Sequence, residues 1–134
     1  MEEKSLEMLT IHALYYLAEA GGWRSGLRWR LTSRGVFSPD LQRALALGRP
    51  PVPDREALER VKRLIALLCG GNGEPCGLLV VAAAKYAALR RLGIGYEEAH
   101  VAPPRLAGRL EAALLAAGLL PRKETIITPK LVAH

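Results

Sequence analysis

Four arginines, Arg24, Arg28, Arg30 and Arg34, stand among two tryptophans, Trp23 and Trp29, in a stretch with no acidic residue from Ala20 to Pro39. A guanidinium is a planar fork of donors that matches a phosphate, and an indole packs on sugars, bases or protein. The chemistry this combination serves is the binding of a polyanion, most simply nucleic acid. Spacing adds a constraint. Trp23, Ser25, Leu27, Trp29, Leu31 and Ser33 occupy odd positions, while Arg24, Gly26, Arg28, Arg30, Thr32 and Arg34 occupy even ones. Alternation in steps of two places every arginine on one face of an extended chain. On a helix the same arginines would split into two pairs, 24/28 and 30/34, about 120° apart. The pattern predicts an extended arm or short strand near Leu27–Leu31. Its arginine face turns to the partner, and Trp23, Leu27, Trp29 and Leu31 turn to protein.

The charge is unevenly placed. The 134-residue chain has a formal net charge of +6. Residues 1–20 carry four Glu against one Lys, whereas residues 21–50 carry six Arg against Asp40 alone. Arg43 and Arg49 therefore extend the candidate contact beyond the arm. A basic belt between near-neutral regions is the footprint of a binding surface. The alternative is a solvated arginine-rich face without a ligand.

Catalysis and metal binding find little support. His12, His100 and His134 are scattered. Glu97-Glu98-Ala99-His100 lacks the converging groups that a metal or acid–base site needs. No serine sits in a nucleophile elbow, and neither cysteine has a paired histidine motif. Gly70-Gly71-Asn72-Gly73 lacks the Gly-Lys-Ser/Thr ending of a phosphate-binding loop. The expectation is no enzyme, no metal and no cofactor. Cys69 and Cys76 flank that glycine-rich turn. The plainer expectation is two small buried hydrophobes, and the sharper one is a disulfide stapling the turn.

The elements that must position the arm read as helices. Half of the chain is hydrophobic but only 5% is aromatic, so the core is built from Leu, Ala, Val and Ile. Leu6, Leu9, Ala13, Tyr16, Leu17 and Ala20 recur at helical spacing within residues 4–20, with Ser5 as N-cap and Gly21-Gly22 as the stop. Ser38-Pro39-Asp40 starts a short helix to about Leu47. Gly48-Arg49-Pro50-Pro51-Val52-Pro53 is a stiff link. A helix from Asp54 to Cys69 has a stripe of Leu58, Val61, Ile65 and Leu68, with Glu56–Arg60 and Glu59–Arg63 pairs outside it. A helix over 77–92 is apolar almost all round, which places it centrally in a bundle or against a neighbouring subunit. Pro103-Pro104 opens a last helix to Ala117, with Gly118 at its end. Tyr96–His100 suggests a further turn, and Glu124–Thr128 has strand character. The expected fold is mainly α: a helical bundle with an extended basic arm and at most one or two short β-strands. Residues 1–53 hold the first helix, the arm and the link, and 54–134 hold the bundle.

No secretory leader pattern follows Met-Glu-Glu-Lys, and the apolar run Leu78–Ala84 is too short to span a bilayer. A soluble intracellular protein with no membrane insertion is expected. Asn72 is the only asparagine and Gln42 the only glutamine, and loss of heat-labile amides is a thermophile signature.

Two resemblances attach to these residues. From Arg24 to Leu120 the layout is similar to the coat proteins of rod-shaped and filamentous viruses of hyperthermophilic archaea: a basic arm, a proline-containing link, then an Ala/Leu-rich helical bundle. The resemblance implies non-specific coating of double-stranded DNA, held in A-form within a helical sheath, by self-association or with a paralogous subunit. It implies a virion protein assembled in the host cytoplasm. The acidic first helix departs from a simple basic arm. Locally, Pro103–Leu131 resembles the end of a winged-helix DNA-binding domain. That resemblance implies a recognition helix carrying Arg105 and Arg109, a wing strand at Glu124–Thr128, and a cytoplasmic regulator of a specific operator. A protein-interaction module without nucleic acid is the third possibility. Under the coat reading Arg24, Arg28, Arg30 and Arg34 neutralise phosphates, and their removal lowers the salt slope of binding by roughly 3–4.

Overall fold

The computed structural model describes residues 5–70, 76–92 and 104–120. Among them are five helices and one two-stranded sheet: α1 (Leu6–Ala20), β1 (Arg30–Leu31), β2 (Val36–Phe37), α2 (Pro39–Ala46), α3 (Arg55–Cys69), α4 (Gly77–Leu92) and α5 (Pro104–Ala117). The mainly helical class read from the sequence is the observed one. The suggested turn at Tyr96–His100 and the strand at Glu124–Thr128 lie outside the described residues.

Helix starts follow local capping chemistry. The Ser5 hydroxyl accepts from Met8 N–H, Ser38 from Leu41 N–H, and the Asp54 carboxylate from Ala57 N–H. Each satisfies an amide that has no partner inside its helix. Pro39 sits in the first turn of α2, where its missing N–H costs nothing.

One buried cluster runs from Leu9 to Leu120 and joins α1 with α3, α4 and α5. Residues on both sides of position 53 thus share a core. The all-round apolarity of α4 has an intramolecular cause. Val80, Val81, Ala83, Ala84, Tyr86, Ala87, Ala88 and Leu89 are buried, and α4 packs on α1, α3, α5 and β2. Its junction with α1 is close: a Cβ on Gly77 would lie 2.8 Å from Thr10 Oγ1. The stripe of α3 differs from the sequence expectation. Ala57 and Leu64 are buried with Val61, Ile65 and Leu68, whereas Leu58 remains 38% exposed. Ala57, Val61, Leu64 and Leu68 are spaced by four, three and four, so they fill one face and leave Leu58 at its margin. Glu59 approaches Lys62 at 3.9 Å rather than pairing with Arg63, and Glu56 pairs with Arg60 at 3.0 Å.

Antiparallel β1 and β2 pair Arg30 with Phe37 and Leu31 with Val36. The turn between them is tied by Thr32 Oγ1–H donating to the Gly35 carbonyl at 2.7 Å. It is also fastened to α4 by Lys85 Nζ, which donates to the Ser33 carbonyl at 2.6 Å. Burial there holds the Lys85 ammonium below the usual lysine range.

Cys69 and Cys76 form a disulfide with Cα atoms 5.4 Å apart, so the plainer expectation of two unpaired thiols gives way to the staple. It ties the end of α3 to the start of α4. Among the described residues no helix is long and apolar enough to cross a membrane. Closing a loop with a sequence separation of 7 stabilises by about 2–3 kcal/mol through the unfolded chain. A Cys69→Ser/Cys76→Ser variant should lower the urea midpoint accordingly with helical circular dichroism retained. An unchanged midpoint would show that the staple does not restrict the unfolded chain.

Candidate nucleic-acid interface

Between Gly22 and Arg30 exposure alternates residue by residue. Trp23, Ser25, Leu27 and Trp29 are half-buried, and Gly22, Arg24, Gly26, Arg28 and Arg30 are exposed. The period-two pattern of the sequence is therefore a physical division of the ribbon into two faces. Regular strand pairing covers only Arg30–Leu31, shorter than the Leu27–Leu31 expected. The alternation ends there because Thr32–Gly35 turns the chain. Leu31 is consequently exposed rather than turned to protein.

The inner face is fixed to α1. Glu19 Oε1 accepts from Ser25 Oγ–H at 2.6 Å and from Trp29 Nε1–H at 2.8 Å. The Trp29 ring meets Tyr16 edge-on at 5.3 Å and His12 at 6.4 Å. Trp23 tilts against Tyr15 at 6.0 Å. Both indoles thus serve as anchors to the body. His12, fully buried, joins the ribbon's surroundings to α2. The Ser38 backbone N–H donates to its Nδ1 at 3.1 Å, so that nitrogen is unprotonated and the neutral ring carries its hydrogen on Nε2. Nε2–H then donates to Gln42 Oε1 at 3.1 Å, while Phe37 stacks on the ring at 4.4 Å.

The outer face is basic, with one important modification. Asp40, at the start of α2, grips Arg28 three times. Its Oδ2 accepts from the Arg28 backbone N–H and Nε–H, each at 3.0 Å, and its Oδ1 accepts from Nη2–H at 2.8 Å. These hydrogen bonds, with Arg43 adding attraction, hold the Asp40 carboxyl far below the usual carboxylate range. The clamp is complete above the ordinary carboxylate pKa and is lost only as pH falls through the depressed value. Arg28 remains 82% exposed by its side chain, yet its charge is locally matched. Arg43 lies on α2, one turn after Asp40, and is exposed. Arg30 lies on β1, Arg34 on the hairpin turn and Arg49 just after α2; all are exposed.

The α5 arginines belong elsewhere. Helix α5 packs on α3 and α4, whereas the hairpin packs on α1 and α4. Arg105 and Arg109 are exposed, but Arg109 Nη2–H donates to the Leu68 carbonyl at 3.0 Å, capping the end of α3. This bond gives Arg109 a structural duty.

Sequence reasoning missed Glu19, Asp40 and Arg60 as positioning residues. Arg60 Nη1–H donates to the Gly21 carbonyl at 2.7 Å and fixes the exit of α1 into the ribbon. A signal existed for Glu19: a carboxylate in the last turn of a helix opposes the helix dipole, so it needs another partner. Asp40 was visible as the single acid within residues 21–50.

No protein-family model matches the chain, and no curated protein or solved structure matches it either. The functional reading therefore rests on the interface itself.

Glu19→Ala should leave two half-buried donors without their acceptor, at a cost of about 1–3 kcal/mol. Amides of residues 25–31 should then exchange faster and tryptophan emission should shift to the red, with helix content kept. Unchanged exchange would mean that ring packing alone holds the ribbon.

Proposed function

We propose that this protein is a non-enzymatic, sequence-independent binder of double-stranded DNA that acts as many copies along the duplex, as the coat of a helical virion does. The observation that carries the reading is the two-faced ribbon. Exposed Arg24, Arg28 and Arg30 alternate with side chains that pack on the body. A pinned, extended row of guanidinium groups meets a phosphate backbone with little ordering left to do on binding. Residues two apart on such a chain are about 6.6 Å apart, from the rise per residue of a strand. Contacts of this kind go to phosphates and carry no base information.

The Arg28–Asp40 clamp refines the charge count. Arg24 and Arg30, with Arg43 and Arg49 beside them, form the phosphate-neutralising set. Arg28 shapes the ribbon and stays with Asp40. Trp23 and Trp29 anchor the arm to its own body rather than to a base.

Random-sequence duplex provides the test, read by gel shift across a salt series and by electron microscopy. Affinity should be independent of sequence, and regular filaments should form. Arg24→Ala/Arg30→Ala should lower the slope of log affinity against log salt by about 2, at roughly 0.9 per neutralised phosphate. Arg28→Ala/Asp40→Ala removes a matched pair and should leave the slope near that of the parent. Shifts confined to selected sites would favour a specific regulator, and no binding at low salt would leave an interaction module without nucleic acid.

A further inference from the structure

Beside the ribbon, the end of α4 and strand β1 bound an open groove of about 250 Å³. Buried Val36 and Ala88 form its floor, Tyr16 and Trp29 its ring walls, and the more exposed Leu31 and Leu92 its mouth. Its charged lining residues, among those described, are both cations: Arg30 and Arg91. Arg91 is held in place by the Tyr16 hydroxyl at 3.3 Å and lies over the Tyr16 ring. Glu19 attracts Arg91 from outside this lining, while its Oε1 is bonded to Ser25 and Trp29.

We infer that this groove binds a small amphipathic carboxylate, with an alkyl or aryl body on the Val36–Ala88 floor and the carboxylate on Arg30 and Arg91. Two features select this class. The walls are almost wholly apolar, so a nucleobase would leave its ring-edge donors and acceptors unpaired. The rim carries two guanidinium groups, which complement an anionic head and repel a cationic one. The volume is slightly below the range of about 300–1,000 Å³ typical of drug-sized ligands, which suits a short chain. The inference does not rest on DNA binding, since a chain that binds no duplex can still fill the groove.

The test is a titration of the full chain with octanoate, octanol or octylamine, followed by two-dimensional NMR. Octanoate should saturate one site, with shifts at the Trp29 indole and at residues 31, 36, 88 and 92. Octanol should bind about tenfold more weakly, for want of one charge-assisted contact. Octylamine should not bind. Arg30→Glu and Leu92→Glu, both at the exposed rim, should each weaken octanoate about tenfold without lowering the melting temperature. The inference is overturned if nothing saturates, if octanoate and octanol bind alike, if the shifts fall away from the groove, or if both variants bind as the parent does.

Discussion

A single carboxylate oxygen, Glu19 Oε1, accepts hydrogen bonds from both Ser25 and Trp29. Through it the arm ceases to be a tail and becomes a surface of the bundle. The indole N–H and the serine hydroxyl would otherwise sit half-buried without an acceptor, which is costly in a region shielded from water. Once Trp29 is set, its ring closes on Tyr16 and His12, and the intervening even-numbered residues have nowhere to go but outward. The basic face is thus a consequence of the anchored face. The acidic first helix, which looks out of place beside a basic arm, supplies the group that holds it.

That anchoring works because α1 is itself immobilised. Its buried side, from Leu9 to Ala18, belongs to the same core as α3, α4 and α5. Arg60 from α3 fastens the carbonyl of Gly21, where α1 ends. Leu119 also comes close enough there that a Cβ on Gly21 would lie 2.8 Å from its Cδ2. On the other side, the ring of His12 carries the constraint into α2, where Asp40 grips Arg28. Exposed ion pairs of this kind contribute little stability. The clamp matters for direction and charge: it orients one arginine and matches its charge locally.

Most of the fold was legible in the sequence because its signals are local. Proline at the start of α2, aspartate before α3, glycines at helix ends and the apolar run of α4 each act within a turn or two of where they stand. The two faces of the ribbon were legible for the same reason, since a period of two survives any tertiary arrangement that keeps the chain extended. The Arg28–Asp40 clamp, the Arg60–Gly21 bond, the Arg109 cap and the placement of His12 join residues far apart in sequence, and no periodicity encodes them. An inward Leu31 follows from the alternation only if the chain stays extended, and the Thr32–Gly35 hydrogen bonds turn it instead. Cys69 and Cys76 were placed at the correct helix ends, but spacing alone does not distinguish packed thiols from a bridge.

The central claim is that a polyanion meets the arginine face of a ribbon whose tryptophan face stays on the body. The most direct measurement is NMR mapping of the full chain on a short random duplex, observing arginine Nε–H and tryptophan Nε1–H signals together. The account predicts large changes at Arg24 and Arg30, with the Trp23 and Trp29 indoles nearly unmoved. Changes centred on the indoles, or on Arg105 and Arg109 of α5, would contradict it.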